Sequence, residues 1–475
     1  MFIGREKELN KLKEFQKRET AGLIVCRGRR RIGKSTLIQE FSKKSKFINI
    51  YGLPPRDNLS NESQLKHFGE LLALSFKLPE FHFLNWNEAL STLAHLVSKE
   101  KGKKVVLLDE ISWMASKDKD FPGKLKGIWD TKFKSINNLV LVLCGSVTSW
   151  IDTNILEDKG FVGRVSLTLT VGELPLRDAN KFWKNKKTSS DEKLKILSIT
   201  GGIPRYLEEI QPDHDAESNI KRMCFSPEGF LFTEFESIFK DIFEKKDVEF
   251  RCLIDALKDG PLEYKELCKK LSLTPTGALS HKIDTLEESG FIKKDYTFNN
   301  MGKKSRIFRI RICDNYIRYY LKYIFPRREQ ISNHLLEDLH LDDLKGWSSI
   351  VGLQFENLVI NNLKVILKIL QIPPSSILSA SPHFQRQTKN KDQCQIDLLI
   401  QTHKNIYPCE IKFKQEIDAT VCDEMEIKLK KMKFTSSRSV RPVLIYHGEL
   451  RRPDKIKETF THTIRFKDLL LEPNS

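Results

Sequence analysis

The sequence lacks the features that mark several classes of protein. No apolar run approaches the ~18 residues that a membrane-spanning helix requires, and the first segment carries charge by Arg5 without a signal-peptide core. The 9 cysteines are odd in number and scattered, and no C-x-x-C pair occurs. Disulfide frameworks and structural zinc sites use paired, closely spaced cysteines. We therefore expect neither, no membrane segment, and a protein of the reducing cytoplasm.

Positive charge, in contrast, is present in excess. The chain has 80 Lys and Arg residues against 63 Asp and Glu, a net charge of +17. A polyanionic partner such as nucleic acid is the usual physical reason for such an excess. A lysine-rich solvated surface is the alternative. The 475 residues are enough for roughly two to four domains.

The stretch CRGRRRIGKSTLI, at 26–38, has the spacing G-x-x-x-x-G-K-S. An apolar run at 23–25 precedes it and helix-spaced apolar residues follow it, which is the strand–loop–helix context of a P-loop. In such a loop the backbone N–H groups surround phosphates, the lysine reaches the β- and γ-phosphates, and the serine hydroxyl holds Mg²⁺. A chance match in a basic turn is the alternative, and the context argues against it. The residues expected to bind ATP are Gly28, Arg29, Arg30, Arg31, Ile32, Gly33, Lys34, Ser35 and Thr36.

A second apolar run, at 105–108, ends in Asp109 and Glu110. A carboxylate at the C-terminal edge of a buried strand can hold the water shell of Mg²⁺, and the next one can polarise an attacking water. A third run, at 139–144, leads to Ser146 at the same predicted sheet edge. By itself an acidic strand end is better explained as surface. Beside a P-loop it indicates a hydrolytic site, with Ser35 and Asp109 as metal ligands.

The middle of the chain changes character. Residues 172–240 show helical patterning with a Gly-Gly-Ile-Pro break at 201–204, and the next segment predicts three helices and two alternating strands. This order is typical of a winged helix-turn-helix, and favours nucleic acid, whereas a protein–protein module is the alternative. The recognition helix would present Thr276, Ser280, His281 and Lys282, and the basic wing would present Lys293, Lys294, Lys303, Lys304 and Arg306.

The last part of the chain contains a second acidic pattern. A long helix is predicted over 348–370 and carries Glu356, and two strands follow it. Asp397 lies at the first strand, and the second carries Glu410 and Lys412, which face the same side because strand side chains alternate. We expect Asp397 and Glu410 to bind Mg²⁺ or Mn²⁺ with Glu356 completing the shell, and Lys412 to orient a water at a phosphodiester. An amphipathic hairpin with surface charges is the alternative.

These segments together resemble a known family. FIGREKEL, GRRRIGKSTLI, VVLLDEIS, LCGS and TGGIPRYL are similar to the archaeal-type ATPases, on the AAA+/STAND side of the P-loop NTPases. The last part is similar to the PD-(D/E)XK restriction-endonuclease fold. Its pattern, G-x-x-F-E, then D, then E-x-K, is met by Gly352, Phe355, Glu356, Asp397, Glu410 and Lys412.

The resemblance implies an α/β protein of four parts. These are an AAA+-like P-loop ATPase core at 1–171, a helical lid at 172–245, a winged helix-turn-helix at 246–326 and an α/β restriction-endonuclease-like domain at 327–475. By the same resemblance Gly4 and Arg5 lie near the adenine, and Pro204 helps to close the lid on the base. Asp109 and Glu110 belong to the catalytic centre, with Ser146 as the γ-phosphate sensor.

Two further points follow from the resemblance. Arg164 matches an arginine that acts on a neighbour's ATP, which implies a homo-oligomer. The three arginines Arg29, Arg30 and Arg31 exceed what phosphate binding requires.

Two functions fit the pattern best. The first is an ATP-hydrolysing, DNA-associated protein with a metal-dependent nuclease-like domain. The second is a regulatory NTPase switch whose last domain binds nucleic acid without cutting it. A protein-interaction scaffold is a third, and Glu110 argues against it because a scaffold has no use for a water-polarising carboxylate.

Overall fold

The computed structural model describes residues 2–56, 59–146, 148–183, 187–243, 247–299, 301–336, 338–389, 392–432 and 438–471. The chain divides into two compact units. The first comprises Met1–Glu173 and Ile238–Glu244, and the second comprises Leu174–Ser237 and Lys245–Ser475. The first boundary lies two residues from the predicted end of the ATPase core at 171. The predicted segments 246–326 and 327–475 fall within the second unit, whereas the predicted lid at 172–245 is divided between the two units. The boundary predicted at 245 lies outside the described residues.

The first unit alternates strands and helices, as its apolar runs predict. Its elements are α1 (Glu6–Phe15), β1 (Gly22–Arg27), α2 (Lys34–Phe41), β2 (Lys46–Tyr51), α3 (Asn61–Phe76), α4 (Trp86–Lys99), β3 (Lys104–Asp109), α5 (Ile111–Met114), α6 (Phe121–Thr131), β4 (Leu139–Gly145), α7 (Thr148–Ile151) and β5 (Val165–Thr170).

A five-stranded parallel sheet forms the centre of this unit, in the order β2-β3-β4-β1-β5. Strands β3 and β4 are buried along their whole length, because the helices of a parallel α/β layer cover both faces. Strand β4 separates the P-loop strand β1 from the acidic strand β3. The carboxyl ends of these three strands therefore meet at one edge of the sheet, where the polar residues of the motifs lie.

The second unit begins with helices. Its elements up to residue 369 are α8 (Leu176–Asn180), α9 (Ser190–Thr200), α10 (Pro204–Leu207), α11 (Ala216–Cys224), α12 (Phe230–Phe243, whose last residues group with the first unit), α13 (Asp247–Ala256), β6 (Leu262–Glu263), α14 (Tyr264–Lys270), α15 (Gly277–Glu288), β7 (Ile292–Phe298), β8 (Lys304–Ile312), α16 (Asn315–Tyr319), α17 (Arg328–Ser332), α18 (Trp347–Asn361) and α19 (Leu363–Ile369).

Three helices followed by a hairpin are present where the sequence predicts them. Helices α13, α14 and α15 precede the antiparallel pair β7 and β8, and β6 adds a third strand against β8. The Thr276 side chain caps α15 by accepting from the backbone N–H of Leu279 at 3.2 Å. Strand β7 also contacts a strand of the last sheet, β9 (Ile377–Gln385), so one side of the hairpin is covered.

The prediction of one continuous helix over 348–370 is wrong. It breaks into α18 and α19, which are bent by 69° at their junction. The cause is Asn362, whose amide nitrogen donates to the Leu358 carbonyl at 2.8 Å while its Oδ1 accepts from the backbone N–H of Leu176 at 2.9 Å. This bond is made across 186 residues of sequence, so the apolar periodicity gives no sign of it.

A third sheet, with parallel and antiparallel strands, follows in the last part of the second unit. Its elements are β9, β10 (Cys394–Thr402), β11 (Asn405–Ile417), α20 (Thr420–Met432), β12 (Ser439–Val440), β13 (Val443–Leu450), α21 (Pro453–Thr459), β14 (His462–Arg465) and α22 (Phe466–Leu470). The order is β14-β13-β11-β10-β9, with β12 beside β11. Helix α18 packs on β11, where the Phe355 ring lies 6.4 Å from that of Phe413. The Phe355 ring also meets Phe466 of α22 edge-on at 5.8 Å.

All nine cysteines are unbonded. Across the described ranges, no single helix is long and apolar enough to cross a membrane; the bent pair α18 and α19 reaches the required length and composition only together.

Candidate ATP site and acidic cleft

The P-loop adopts a path that its glycines permit. Gly28, Arg31 and Gly33 have φ angles of 151°, 68° and 83°. A Cβ at Gly28 would lie 2.2 Å from the carbonyl oxygen of Val171, so any side chain would collide with the backbone of the neighbouring segment. Gly33 directly precedes α2, and its positive φ turns the chain so that the helix begins at Lys34.

Lys34 lies inside this loop. It is buried, and its Nζ donates to the carbonyl oxygens of Gly28 and Arg29 at 2.9 and 3.0 Å. The ammonium is therefore held at the concave side of the loop, next to the first turn of α2. A helix N-terminus and a fixed ammonium together attract an anion. The arrangement suits a phosphate group.

The oxygen ligands expected for Mg²⁺ lie beside the lysine. The Ser35 hydroxyl donates to Asp109 Oδ2 at 2.5 Å, which joins the start of α2 to the end of β3. A hydroxyl and a carboxylate are hard oxygen donors of the kind that Mg²⁺ takes together with water and phosphate. Ser35 and Asp109 therefore fit the metal that the P-loop motif predicts.

Glu110 and Ser146 complete this edge of the sheet. Glu110 has a φ of 48°, and its backbone N–H donates to Asp109 Oδ1 at 3.0 Å. Its Oε2 accepts from the backbone N–H and from the hydroxyl of Ser146, at 3.1 and 2.8 Å. The carboxylate is thus held in one orientation at the end of β4, in the position where a water-polarising group is expected.

Arg5 acts on the loop in a way the sequence did not predict. Its side chain is buried, and its Nη2 donates to the carbonyl oxygens of Ile32 and Gly172 at 3.0 and 2.6 Å. Gly4 and Arg5 both have positive φ, 72° and 68°, which brings the guanidinium under the loop. Arg5 therefore supports the P-loop, and its predicted contact with the adenine stays a prediction.

Two of the three surplus arginines gain a structural account. Arg29 is buried and lies 3.9 Å from Glu173 Oε1. The guanidinium of Arg30 lies over the Trp113 ring at 5.5 Å from its centre, a cation–π contact. Arg31 occupies a left-handed backbone position.

The other residues predicted for nucleotide work are placed as follows. Thr36 lies exposed in the first turn of α2. Pro204 is the first residue of α10, in the second unit. Arg164 forms a two-pronged ion pair with Asp130 at 2.7 and 2.8 Å, which lowers the pKa of that carboxyl and raises the pKa of the guanidinium. The roles of Pro204 and Arg164 in ATP hydrolysis stay predictions.

In the second unit, the predicted acidic residues occupy adjacent antiparallel strands. Leu398 of β10 pairs with Cys409 of β11, and one further step of this register puts Asp397 across from Glu410. Directly opposed residues of an antiparallel pair face the same side of the sheet. Asp397 Oδ2 accepts from the backbone N–H of Ile411 at 2.8 Å.

Glu410 is already paired with two lysines. Its side chain is 2% exposed, and both of its oxygens accept from Lys428 Nζ, at 2.8 and 2.6 Å. Lys412 Nζ lies 2.9 Å from Glu410 Oε1 and donates to Glu424 at 2.8 Å. Burial alone would lower the pKa of Lys412, but the charge of Glu410 and these hydrogen bonds raise it.

The carboxyl groups of Asp397 and Glu356, near Glu410, have raised pKa values. Burial, and then the charges of Glu410 and Glu356, raise the pKa of Asp397 well above its ordinary value. Burial also raises the pKa of Glu356, against the opposing effect of Arg318 and Arg311. The carboxyl groups of Asp397, Glu410 and Glu356 are therefore close enough to interact electrostatically. In the part of the chain that the structure describes, however, no three His, Cys, Asp or Glu side chains are arranged to hold a metal ion.

Together, the first unit combines a parallel sheet, a P-loop and two carboxylates at the neighbouring strand ends, which is the construction of a P-loop ATPase. Residues 2–210 match the sequence model of a family described as an ATPase domain predominantly from Archaea. This part of the chain is therefore similar to an ATPase domain of that type. The match does not extend to residues 211–475.

Two further proteins are similar to this chain. An uncharacterized protein of Methanocaldococcus jannaschii is 25% identical over 377 residues, which cover 78% of this chain and 80% of that protein. The solved structure of a Walker-type ATPase of Pyrococcus abyssi is similar with a TM-score of 0.52 and 18% identity, over 67% of this chain and 96% of the other. The second likeness shows the fold alone.

We call the surroundings of Glu356, Asp397 and Glu410 the acidic cleft. Sequence reasoning missed one residue there, Lys428. It lies 18 residues after Glu410, on α20, and belongs to no motif. Its spacing of four from Glu424 puts both residues on one helix face. That spacing is the only sequence signal for its position, and it is common on helix surfaces.

Proposed function

We propose that this protein binds and hydrolyses ATP with Mg²⁺ and acts on DNA. The observation that carries the first part is the convergence of Lys34, Ser35, Asp109, Glu110 and Ser146 at one sheet edge. Lys34 binds the β- and γ-phosphate oxygens. Ser35 and Asp109 hold the metal, which neutralises charge on the phosphates when bound.

Hydrolysis then depends on Glu110. Its carboxylate accepts a proton from the attacking water and aligns that water with the γ-phosphorus. Ser146 fixes the carboxylate through two hydrogen bonds to Oε2, so the geometry is set before the nucleotide binds.

Phosphate release from ATP, measured with and without Mg²⁺, tests this part. We expect activity that requires Mg²⁺ and disappears in Lys34→Ala together with ATP binding. A control, Lys43→Ala, changes an exposed lysine that pairs with Glu40 on the helix following the P-loop, and should leave both unchanged. ATP binding that survives Lys34→Ala at parental affinity would contradict the assignment.

We propose DNA as the partner because part of the excess positive charge lies on exposed side chains of the predicted winged helix. Thr276, Ser280 and His281 are exposed at the start of α15, as a recognition helix of a winged helix requires. Lys303, Lys304 and Arg306 are exposed at the tip of the hairpin. Other basic residues are engaged: Lys282 pairs with Glu249, Lys294 with Asp284 and Glu287, and Arg311 with Asp295. Lys293 is exposed on β7, and Lys304 also lies over the Tyr296 ring at 3.4 Å from its centre. The proposed contact therefore comprises the helix start, the hairpin tip and Lys293.

For the last domain we propose a nuclease-like fold that holds nucleic acid. The G-x-x-F-E, D and E-x-K pattern supports a PD-(D/E)XK relationship, and cutting with Mg²⁺ or Mn²⁺ is the first candidate activity. Holding without cutting is the second, and the pairing of Glu410 with Lys412 and Lys428 favours it. Incubation with supercoiled plasmid, ATP and each metal, beside Glu410→Ala, distinguishes them. Nicking that Glu410→Ala abolishes supports cutting; plasmid that stays supercoiled supports holding.

Two further proposals concern the setting of the protein. Arg164 acts on a neighbouring subunit's ATP in a homo-oligomer, which requires it to leave Asp130. The cytoplasm is the proposed location, since nine unbonded cysteines suit a reducing compartment.

A further inference from the structure

The acidic cleft of the last domain contains an alternating row of charges. Helix α20 packs on β10 and β11 and faces them with Glu424 and Lys428, one turn apart. Strand β11 contributes Glu410 and Lys412. The row runs Lys428, Glu410, Lys412, Glu424, with neighbouring charged atoms 2.6 to 2.9 Å apart. Two ammonium groups thus balance two carboxylates.

Glu410 is the member of this row that cannot stay unpaired. A carboxylate that is 2% exposed needs a compensating cation, because its own hydration is lost. A divalent ion or an ammonium can fill that role. Here Lys428 Nζ contacts both oxygens at 2.6 and 2.8 Å, and Lys412 contacts one of them at 2.9 Å. The position next to both oxygens is therefore taken, and a divalent ion there would lie against a positive charge.

We propose that Lys428 replaces the divalent cation as the counter-ion of Glu410, so that the cleft is a metal-independent phosphate-binding site. This inference rests on the holding alternative proposed for the last domain. Lys412 and Lys428 are 22% and 23% exposed, so their remaining N–H donors reach solvent beside the neutralised carboxylate. Ammonium groups bind backbone phosphates of nucleic acid without regard to sequence.

The test measures Mn²⁺ binding to the full chain in the absence of nucleotide. Binding is monitored by the decrease in the electron paramagnetic resonance signal of free Mn²⁺. We expect the parent and the variant Glu410→Gln to bind the same amount of Mn²⁺, because Glu410 holds no Mn²⁺ in the parent. Lys428→Met should gain one Mn²⁺ per chain, at least about tenfold tighter than the parent, because a unit charge next to the ion is removed. The double variant Lys428→Met, Glu410→Gln should lose that gain.

Matched variants keep the result interpretable. Lys430→Met changes an exposed lysine on the same helix and should behave as the parent. Lys428→Gln removes the charge but keeps a donor for Glu410, and serves if circular dichroism shows that Lys428→Met is unfolded. A parent that binds Mn²⁺ through Glu410, or a folded Lys428 variant that gains no ion, overturns the proposal.

The plasmid assay separates this inference from the proposed function. Metal-dependent nicking that needs Glu410 would overturn both the holding alternative and the role of Lys428. A second outcome combines the expected Mn²⁺ binding with a DNA affinity that neither Lys412→Met nor Lys428→Met changes. This outcome would support Lys428 as the counter-ion of Glu410 and would contradict the proposed phosphate binding.

Discussion

Ser146 donates twice to a single oxygen of Glu110, from its backbone N–H at 3.1 Å and from its hydroxyl at 2.8 Å. The two residues follow neighbouring parallel strands, β4 and β3, and meet where those strands end. A single hydrogen bond would allow the Glu110 carboxylate to rotate about its Cγ–Cδ bond, whereas two hydrogen bonds restrict that rotation. We therefore propose that Ser146 orients Glu110 for its action at the γ-phosphate.

Removing the hydroxyl should separate catalysis from binding. In Ser146→Ala the backbone N–H remains, so Glu110 is held less firmly, and we expect kcat for ATP hydrolysis to fall about 10- to 100-fold with little change in ATP affinity. Steady-state phosphate release and binding of a fluorescent ATP analogue measure the two quantities. Ser98→Ala, on an exposed helix face, is the control. An unchanged kcat would remove Ser146 from the mechanism.

The P-loop should depend on glycine at position 28. In Gly28→Ala the new Cβ would lie 2.2 Å from the Val171 carbonyl oxygen at a φ of 151°, and we expect a loss of about 3 kcal/mol in the free energy of unfolding. Thermal unfolding and ATP binding measure the effect. Gly127→Ala on α6 meets no atom within 4 Å and should stabilise by up to ~1 kcal/mol. Equal melting temperatures for the two variants would show that the close approach is absent.

Local sequence determined the residues of the ATP site. A strand, a glycine-rich turn and a helix form from neighbouring residues, and parallel strands bring Asp109, Glu110 and Ser146 to the same edge in any order of the sheet. The supporting bonds of Arg5 to the Ile32 and Gly172 carbonyls span 27 and 167 residues. No local pattern contains them, because they depend on where distant segments pack.

The second unit shows the same division. The strands carrying Asp397 and Glu410 are adjacent and antiparallel, as expected from two alternating runs with a short connection. The counter-ion Lys428 comes from a helix whose packing on the sheet is a tertiary property, and the break at Asn362 depends on Leu176. The coverage of the hairpin by β9 has the same origin.

DNA binding should depend on the tip of the hairpin. If Lys303, Lys304 and Arg306 contact phosphates, their replacement by Gln should reduce the slope of log affinity against log salt concentration by about 2 to 3. Fluorescence anisotropy with a labelled duplex over a range of salt concentrations measures this. Replacement of the exposed Arg452, Lys455 and Lys457 removes the same charge elsewhere and is the control. Equal slopes for the two triple variants would reject the tip as the contact.

The pair of Asp191 and His447 should contribute a pH-dependent part of stability. Their side chains are 3.1 Å apart, and the hydrogen bond from His447 lowers the pKa of Asp191 to about 2. A lowered carboxyl pKa gives stability that is complete above the ordinary value near 4 and is lost as the pH falls towards 2. Asp191→Asn should therefore be less stable than the parent at pH 5 to 7, and this difference should shrink between about pH 4 and pH 2.

Urea unfolding at a series of pH values measures that difference. Glu192→Gln removes the neighbouring charge without touching His447 and is the control. A difference between parent and Asp191→Asn that stays constant down to pH 2 would show that the carboxyl is not held in its charged form.

The most direct test of the account is a single-turnover experiment on Glu110→Gln. With enzyme in excess over ATP and Mg²⁺ present, we predict that this variant binds ATP as the parent does but hydrolyses it at least about 100-fold more slowly, because only the group that takes the proton from water is changed. Glu100→Gln, which changes a surface carboxylate paired with Lys46, should hydrolyse like the parent. Hydrolysis by Glu110→Gln at the parental rate would contradict the assignment of this edge of the sheet as an ATPase centre.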